Sequence, residues 1–289
     1  MKFKIGVFMT QLNDFLATFQ WQTLNEANNP DDQDVNSALA YQDALVRYIV
    51  QQNQTQHDKP YGVLHFYSTK IDSIYLGAKD TRVERFNQGI AYLKDNDYRI
   101  AVRPHGGLCV ISDPGICNIS FVVDSDYFAL SIDEGYQLMV DLIETLLNPY
   151  HLQVESYEIV DSYCPGSYDI VVNGLKLGGI AQRRFKSGVA IAAYLSIEGN
   201  QEERGRLVQT FYRISEADPT YPLVNPASMT TLSQLLDQPI TVEQFEQMIM
   251  TYFESHTEIQ PLSYQDSTLD SIYQEMLLKQ HQRSSKYQL

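Results

Sequence analysis

Cysteine is scarce in this sequence of 289 residues, and the three cysteines follow no common framework. Cys109, Cys117 and Cys164 are an odd number, and their spacings match neither a zinc motif nor a set of disulfides. A chain of this length can bury a substantial core without metal or covalent cross-links. We therefore expect no bound metal, and three reduced thiols in a reducing compartment.

Positive charge and long apolar runs are also in short supply. The 21 Lys and Arg stand against 36 Asp and Glu, for a net charge of -15, which disfavours nucleic acid as a partner. The most apolar stretch, residues 189–197, is far shorter than the about 20 residues of a membrane helix. Lys2 and Lys4 precede a short apolar run, but no signal-peptide cleavage site follows. These absences predict a cytoplasmic protein with no membrane contact.

Strand-like and helix-like patterns are interleaved without regular alternation. Together they predict an α/β (α+β) fold. The sheet is expected to be mixed, because Asn173-Gly174 is typical of a type I′ hairpin turn, which joins antiparallel strands. Helices are predicted at residues 37–52, 80–93, 131–147, 201–215 and 227–236, and around residues 269–277. A further helix is predicted to begin at a Thr241/Gln244 capping box. Strands are predicted at residues 61–67, 73–76, 98–103, 118–123, 154–160, 168–172, 175–184 and 189–197.

The chain divides by composition into three predicted parts. Residues 22–36 are polar and rich in Asn and Asp, which is typical of a loop, so residues 1–36 are expected to be an N-terminal extension. Residues 37–240 form the expected main domain. Residues 241–289 form a C-terminal helical segment.

Two glycine-bearing segments are candidates for binding a substrate. Paired glycines let a backbone approach a ligand closely and offer N–H groups to its oxygens, although each segment alone also fits a tight turn or a bulge. His105 fits either a turn histidine or the partner of a cysteine. The candidate substrate-binding residues of these segments are Arg103, His105, Gly106, Gly107, Gly178, Gly179 and Gln182.

Cys164 is the cysteine with the surroundings of a nucleophile. It lies in a Pro-Gly turn that should leave it exposed, whereas Cys109 and Cys117 lie in apolar runs and should be buried. A thiol nucleophile needs a cation or a base nearby, and Lys176 is one candidate. A two-residue hairpin sets Lys176 opposite Val171, however, so the Cys164 turn must fold back before the two can meet.

A short basic run follows the second glycine segment. Arg183, Arg184 and Lys186 stand close together in an otherwise acidic chain. Such a run is usually a solvated face, but here it is also the candidate docking surface for an acidic partner.

Several of these segments, taken in order, resemble the biotin/lipoate protein ligase superfamily, and within it the lipoate-assembly acyltransferases. The resemblance rests on their joint occurrence over residues 40–240, which is far more specific than any one of them. The segments are Leu76-Gly77-Ala78-Lys79-Asp80-Thr81-Arg82, the Arg-x-x-Gly-Gly of residues 103–107, Tyr163-Cys164-Pro165-Gly166-Ser167-Tyr168-Asp169, and the run from Lys176 to Arg184.

The resemblance implies a lipoyl-ligase-like catalytic domain that needs no ATP and no other cofactor. Such enzymes move an octanoyl or lipoyl chain from the glycine cleavage system H protein to lysines on the lipoyl domains of 2-oxoacid dehydrogenases. The resemblance also implies that Cys164 forms the acyl-thioester. Lys176 would lie against this cysteine, lower its pKa and steady the carbonyl.

One departure from the ligases separates the remaining alternatives. The ligases carry three successive glycines in the first segment, whereas here Gly106 and Gly107 are followed by Leu108. This favours the acyltransferase over an ATP-dependent lipoate-protein ligase. A non-catalytic module that binds acyl chains or lipoyl domains is the third hypothesis, and nothing at Cys164 or Lys176 favours it.

Overall fold

The computed structural model describes residues 11–25, 28–55 and 58–289. The short apolar run that follows Lys2 and Lys4 lies outside these ranges. Within them, no helix combines the length and apolar character that crossing a bilayer requires.

A mixed sheet of eight strands forms the centre of the fold, and a second sheet of three strands lies beside it. The large sheet has the order β11-β1-β2-β6-β10-β9-β8-β7, and the small one has the order β4-β3-β5. In the large sheet β1 runs parallel to β2 and β11, and the other pairs are antiparallel. The strands are β1 (Gln20–Asn25), β2 (Tyr61–Phe66), β3 (Ser73–Leu76), β4 (Arg99–Val102), β5 (Val110–Ser112), β6 (Ile116–Asp124), β7 (Val154–Ser156), β8 (Ile170–Val172), β9 (Leu175–Phe185), β10 (Gly188–Ser196) and β11 (Ile259–Pro261).

Helices cover both faces of the large sheet. On one face α1, α4 and α7 bury side chains such as Phe15, Leu142 and Phe253. On the other face α2 and α8 bury Leu45 and Tyr273. The helices are α1 (residues 11–18), α2 (Ser37–Asn53), α3 (Phe86–Asp95), α4 (Ile132–Leu147), α5 (Gln201–Ile214), α6 (Leu232–Leu236), α7 (Val242–His256) and α8 (Ser267–Ser285). The predicted α/β (α+β) fold with a mixed sheet and C-terminal helices is confirmed.

Local signals located several elements correctly. Ser131 and Glu134 exchange both hydrogen bonds of a capping box at the start of α4, and Thr241 and Gln244 do the same at α7. At the hairpin between β8 and β9, residues 173 and 174 have φ of 53° and 78°, as a type I′ turn requires.

Other predicted elements were wrong in extent because their side chains have partners elsewhere. Residues 22–25 are not a loop: they lie in β1, whose Trp21 and Leu24 are buried in the core. Asp80 does not cap α3, since its carboxylate accepts hydrogen bonds from the Gly77 N–H and the Tyr212 hydroxyl. The predicted strand 154–160 ends at residue 156, and the predicted helix 227–236 is reduced to α6.

The second glycine segment and the Cys164 turn meet because the β8–β9 ladder is irregular. Val171 lies opposite Lys176, as predicted, but Ile170 lies opposite Gly178, so one residue of β9 is unpaired. Such a bulge bends the strand and increases its twist. The turn before β8 is thereby placed over Lys176, at the edge of the loop that joins β4 to β5.

Candidate functional site

A cavity of about 310 Å³ lies between the large sheet, α2 and the loop between β4 and β5. Its size is at the lower end of the about 300–1,000 Å³ that is typical of small-molecule sites. Much of the lining is apolar or aromatic, with Leu39, Val110, Ala192 and Tyr194 among its residues. The Cys164 turn and the first glycine segment form one polar end of the lining, and Asn118 and Gln182 are further polar residues of it. The cavity therefore suits an apolar chain with a polar group at one end.

Cys164 is held at this polar end in a strained backbone conformation. Its φ is 49°, in the left-handed region that non-glycine residues rarely adopt. The side chain is partly exposed, and its Sγ accepts hydrogen bonds from the Leu108 N–H at 3.2 Å and from Nη2 of Arg103 at 3.1 Å. Two donors thus point at the sulfur, an arrangement that stabilises negative charge there.

Arg103 supplies the positive charge at the thiol. Its side chain is 7% exposed, and its Nη2 also donates to the Leu108 carbonyl oxygen. Burial opposes the charge, but the Cys164 sulfur and the Asp80 carboxylate outweigh that effect, so the pKa of Arg103 lies above its usual value. The sequence pointed to Arg103 as a substrate-binding residue. Its contact with Cys164 could not be derived from local spacing, because the two residues are 61 positions apart in the sequence.

Lys176 lies beneath the Cys164 turn and holds its backbone. Its buried Nζ donates to the Cys164 carbonyl oxygen at 2.7 Å, to the Tyr163 carbonyl oxygen at 3.1 Å and to Ser162 Oγ at 3.1 Å. The turn therefore folds back onto Lys176, as the hairpin geometry required. The resemblance implied that Lys176 would act on the thiol of Cys164. In the structure Lys176 instead contacts the carbonyl oxygen of this residue.

Asp169 is a member of the site that the sequence analysis missed. One of its oxygens lies 2.9 Å from Lys176 Nζ, and both side chains are almost fully buried. Its other oxygen accepts the Ile159 N–H at 3.1 Å. Burial raises the pKa of Asp169, and the Lys176 ammonium opposes that rise. The available signal was an acidic residue at the end of the Cys-Pro-Gly segment, seven positions before Lys176 in the sequence.

His105 lines the cavity but does not form a pair with Cys164. Among the described residues, the hydrogen bonds to the thiol come from Arg103 and Leu108. Burial, together with the charge of Arg103, lowers the pKa of His105 to about 3, so its ring is neutral near pH 7. The structure thus gives His105 the position of a cavity wall and not that of the base.

The glycine residues are required where the backbone crowds the reactive groups. Gly107 has φ of 99°, and a Cβ there would meet the Arg103 guanidinium and lie 3.0 Å from Cys164 Sγ. Gly178 is pressed against the Tyr194 carbonyl, and a Cβ on Gly179 would lie 3.0 Å from the Tyr194 ring. A Cβ on Gly106, in contrast, would meet no atom within 4 Å. Among the described residues, no hydrogen bond engages the N–H groups of Gly106 and Gly107.

Gln182 and the basic run have internal partners. Gln182 lines the cavity, donates to the Ile132 carbonyl at 2.6 Å and accepts from Arg184 Nε at 3.0 Å. Arg183 is paired with Asp43 at 2.7 Å. Arg183 and Arg184 are adjacent in β9 and therefore point to opposite faces of the sheet.

Within the basic run, Lys186 is the exposed residue, at the turn between β9 and β10. Arg184 also donates to the carbonyls of Leu130 and Ser131, both at 2.9 Å. Docking of a partner at this run remains a prediction.

The other two thiols are placed as predicted. Cys109 and Cys117 are fully buried, and burial raises the pKa of both well above the usual value. In the parts of the chain that the structure describes, no three His, Cys, Asp or Glu side chains are grouped to hold a metal ion. Cys164 is therefore the partly exposed thiol of the three. A partly exposed thiol with a cation at its sulfur, in the lining of a cavity, can act as the nucleophile of covalent acyl transfer.

Comparison with known proteins assigns this site to a family. The model of the lipoyl protein ligase A/B catalytic domain matches residues 34–254. The octanoyl-[GcvH]:protein N-octanoyltransferase of Bacillus velezensis is 39% identical over 185 residues, which are 62% of this chain and 64% of the relative. The lipoyl-[GcvH]:protein N-lipoyltransferase of Listeria monocytogenes is 40% identical over 174 residues, 59% of this chain and 63% of that protein. The chain thus spans just under two thirds of either relative.

Solved structures show the same fold. A crystal structure of lipoate-protein ligase A bound with ATP superposes with a TM-score of 0.65 at 19% identity, covering 90% of this chain and 94% of the other. The chain belongs to the lipoyl protein ligase A/B catalytic domain family. The predicted family and enzyme class, an acyltransferase related to the lipoate-protein ligases, are confirmed.

Proposed function

We propose that this chain transfers an octanoyl or lipoyl group from a lysine of the glycine cleavage system H protein to lysines of 2-oxoacid dehydrogenase lipoyl domains. The carrying observation is the position of Cys164: this residue lines the cavity, and its Sγ accepts hydrogen bonds from Arg103 and Leu108. The names of the Bacillus and Listeria relatives support the same donor protein.

The first half-reaction forms a thioester on Cys164. The thiolate attacks the carbonyl carbon of the donor's acyl-lysine amide, so that a C–S bond forms and the C–N bond breaks. The lysine amine leaves after it takes up a proton, for which bound water is a suitable source. Arg103 favours this step because its guanidinium stabilises the thiolate before the attack.

The tetrahedral intermediate carries negative charge on the former carbonyl oxygen. Donors aimed at that oxygen lower the barrier, and each one typically contributes a large factor to the rate. Gly106 and Gly107 line the cavity, as Cys164 does, and among the described residues no acceptor engages their N–H groups. Lys176 is less suited to this role, because its ammonium is engaged by Asp169 and by the turn carbonyls.

Lys176 and Asp169 fit the role of positioning residues in this scheme. The ammonium binds the carbonyl oxygens of Tyr163 and Cys164, and these contacts favour the left-handed conformation of Cys164. This conformation directs the sulfur toward Arg103 and the cavity. The buried carboxylate of Asp169 in turn compensates the charge of Lys176.

The second half-reaction returns the enzyme to its starting state. The neutral amine of an acceptor lysine attacks the thioester, the C–S bond breaks, and the proton lost by the amine passes to solvent or to the departing thiolate. The amide broken in the donor is replaced by an amide formed in the acceptor. The exchange therefore needs no ATP, since one amide replaces another of similar energy.

The test is transfer with purified components in the absence of ATP. Octanoylated H protein, an apo lipoyl domain and the enzyme are mixed, and the acceptor's mass is followed. We expect the acceptor to gain one octanoyl group and the donor to lose one. Acylation that requires ATP, magnesium and a free acid instead would refute the proposal and identify an ATP-dependent lipoate-protein ligase.

A further inference from the structure

Asp80 is a buried acid that fixes the backbone just after β3. Its side chain is 0% exposed, and its two carboxylate oxygens accept hydrogen bonds from the Gly77 N–H and the Tyr212 hydroxyl, both at 2.8 Å. The Asp80 N–H donates in return to the Gly77 carbonyl oxygen at 3.1 Å. A carboxylate that has lost its hydration needs such donors, so these bonds tie Gly77 firmly to Asp80. We call residues 77–80 the Asp80 turn.

The Asp80 turn packs directly against the first glycine segment. A Cβ at Gly77 would clash with the Gly107 carbonyl oxygen and would lie 3.3 Å from Leu108 Cα. The two backbones are therefore in contact, with no side chain between them. The Leu108 N–H is one of the two donors to Cys164 Sγ. A displacement of Gly77 would thus also displace a donor at the sulfur.

The Asp80 turn also supports Arg103, which is the other donor to the sulfur. The Arg103 N–H donates to the carbonyl oxygen of Leu76, the residue before the turn, at 2.9 Å. Burial opposes the charge of Arg103, but the Cys164 sulfur and the Asp80 carboxylate raise its pKa. Burial raises the pKa of Asp80 itself to about 6, so the carboxylate is charged near pH 7. Both donors to Sγ are therefore adjacent to groups that Asp80 fixes.

We propose, on the basis of the proposed function, that Asp80 is a positioning residue for acyl transfer. Its carboxylate fixes Gly77, and Gly77 in turn fixes the first glycine segment where Arg103 and the Leu108 N–H reach the sulfur of Cys164. Asp80 is not one of the residues that line the cavity. It therefore acts through these two donors and makes no contact with the acyl group.

The rate at which iodoacetamide alkylates Cys164 at one fixed pH tests this role. Asp80→Ala removes the acceptor of the Gly77 N–H, and we expect alkylation to be about tenfold or more slower, as when a hydrogen bond to a charged group is lost. Asp80→Asn should stay within about threefold of the wild type. Its amide oxygen still accepts from Gly77, and the Tyr212 hydroxyl can accept from its amide N–H.

Asp141→Ala is the matched control. Asp141 is also a buried carboxylate, 4% exposed, with a pKa that burial raises to about 6. It lies in α4, accepts from Gln137 at 2.7 Å and does not line the cavity. Its variant should be alkylated at the wild-type rate. Only singly labelled protein is counted, so that unfolded molecules, which expose all three thiols, do not contribute.

Two results would overturn the role of Asp80. The first is an Asp80→Ala protein that is alkylated at the wild-type rate. The second is an Asp80→Asn protein as slow as Asp80→Ala, because the charge of Asp80 and not its hold on Gly77 would then be responsible.

Thioester formation separates this proposal from the proposed function. With octanoylated H protein as donor, Asp80→Ala should form the Cys164 adduct more slowly than the wild type and Asp80→Asn. A wild-type protein that is alkylated but forms no adduct would overturn the proposed function, while the alkylation rates of the variants would still decide the role of Asp80 at the thiol.

Discussion

Replacing Arg103 with Gln should slow the reaction of the Cys164 thiol with an alkylating agent. The Arg103 guanidinium donates to Sγ at 3.1 Å and is itself buried, so solvent screens the interaction little. A hydrogen bond to a charged group contributes about 1.5–3 kcal/mol, and a tenfold change in rate corresponds to about 1.36 kcal/mol. Together these values predict that alkylation of Cys164 becomes about tenfold to a hundredfold slower.

The assay is the rate of alkylation with iodoacetamide at one fixed pH, read by intact mass. Cys109 and Cys117 are fully buried, so a folded protein should take up one label and an unfolded protein three. The number of labels thus separates loss of activation from loss of the fold. Arg103→Lys should slow alkylation less than Arg103→Gln, because it retains the charge but not the fork of donors. A singly labelled Arg103→Gln protein that is alkylated at the wild-type rate would refute the assigned role of Arg103.

Further substitutions probe the surroundings of the thiol and the basic run. Gly107→Ala should reduce thioester formation by about a hundredfold or more, since its Cβ would press on Arg103 and Cys164, and Gly106→Ala should lose far less of it in the same mass assay. Lys176→Met should lower the free energy of unfolding in urea by about 3–5 kcal/mol, because Asp169 is left buried and unpaired. Adding Asp169→Asn should recover most of this stability but not the activity, and recovery of activity as well would show that Lys176 has no part in positioning the turn. Lys186→Glu should slow transfer at low salt and have little effect at high salt, and a salt-independent rate would place donor docking elsewhere.

Elements with strong local signals could be predicted from the sequence. The capping box of Ser131 and Glu134 fixes the start of α4 within one turn of helix, and Asn173-Gly174 specifies the hairpin that sets Lys176 opposite Val171. Strand β1 escaped prediction because its sequence, Gln20–Asn25, is mostly polar. It becomes a strand through pairing with β2 and β11, which are distant in the chain.

The candidate site was predicted in its members but not in their contacts. Cys164, Lys176 and Arg103 were all selected from the sequence, yet the cation at the thiol is Arg103, and Lys176 binds the backbone of the turn. The difference arises from the bulge in β9 and from the return of the β4–β5 loop over Cys164. Neither feature has a local signature, because each depends on how two sheets pack together.

The most direct test of the central claim is the covalent intermediate on Cys164. Enzyme is mixed with octanoylated H protein, without acceptor, and the intact mass is measured before and after treatment with hydroxylamine. We expect one octanoyl adduct that hydroxylamine removes, present in Cys109→Ala and Cys117→Ala and absent in Cys164→Ala. Normal transfer by Cys164→Ala, or an adduct that it retains, would contradict the thioester mechanism.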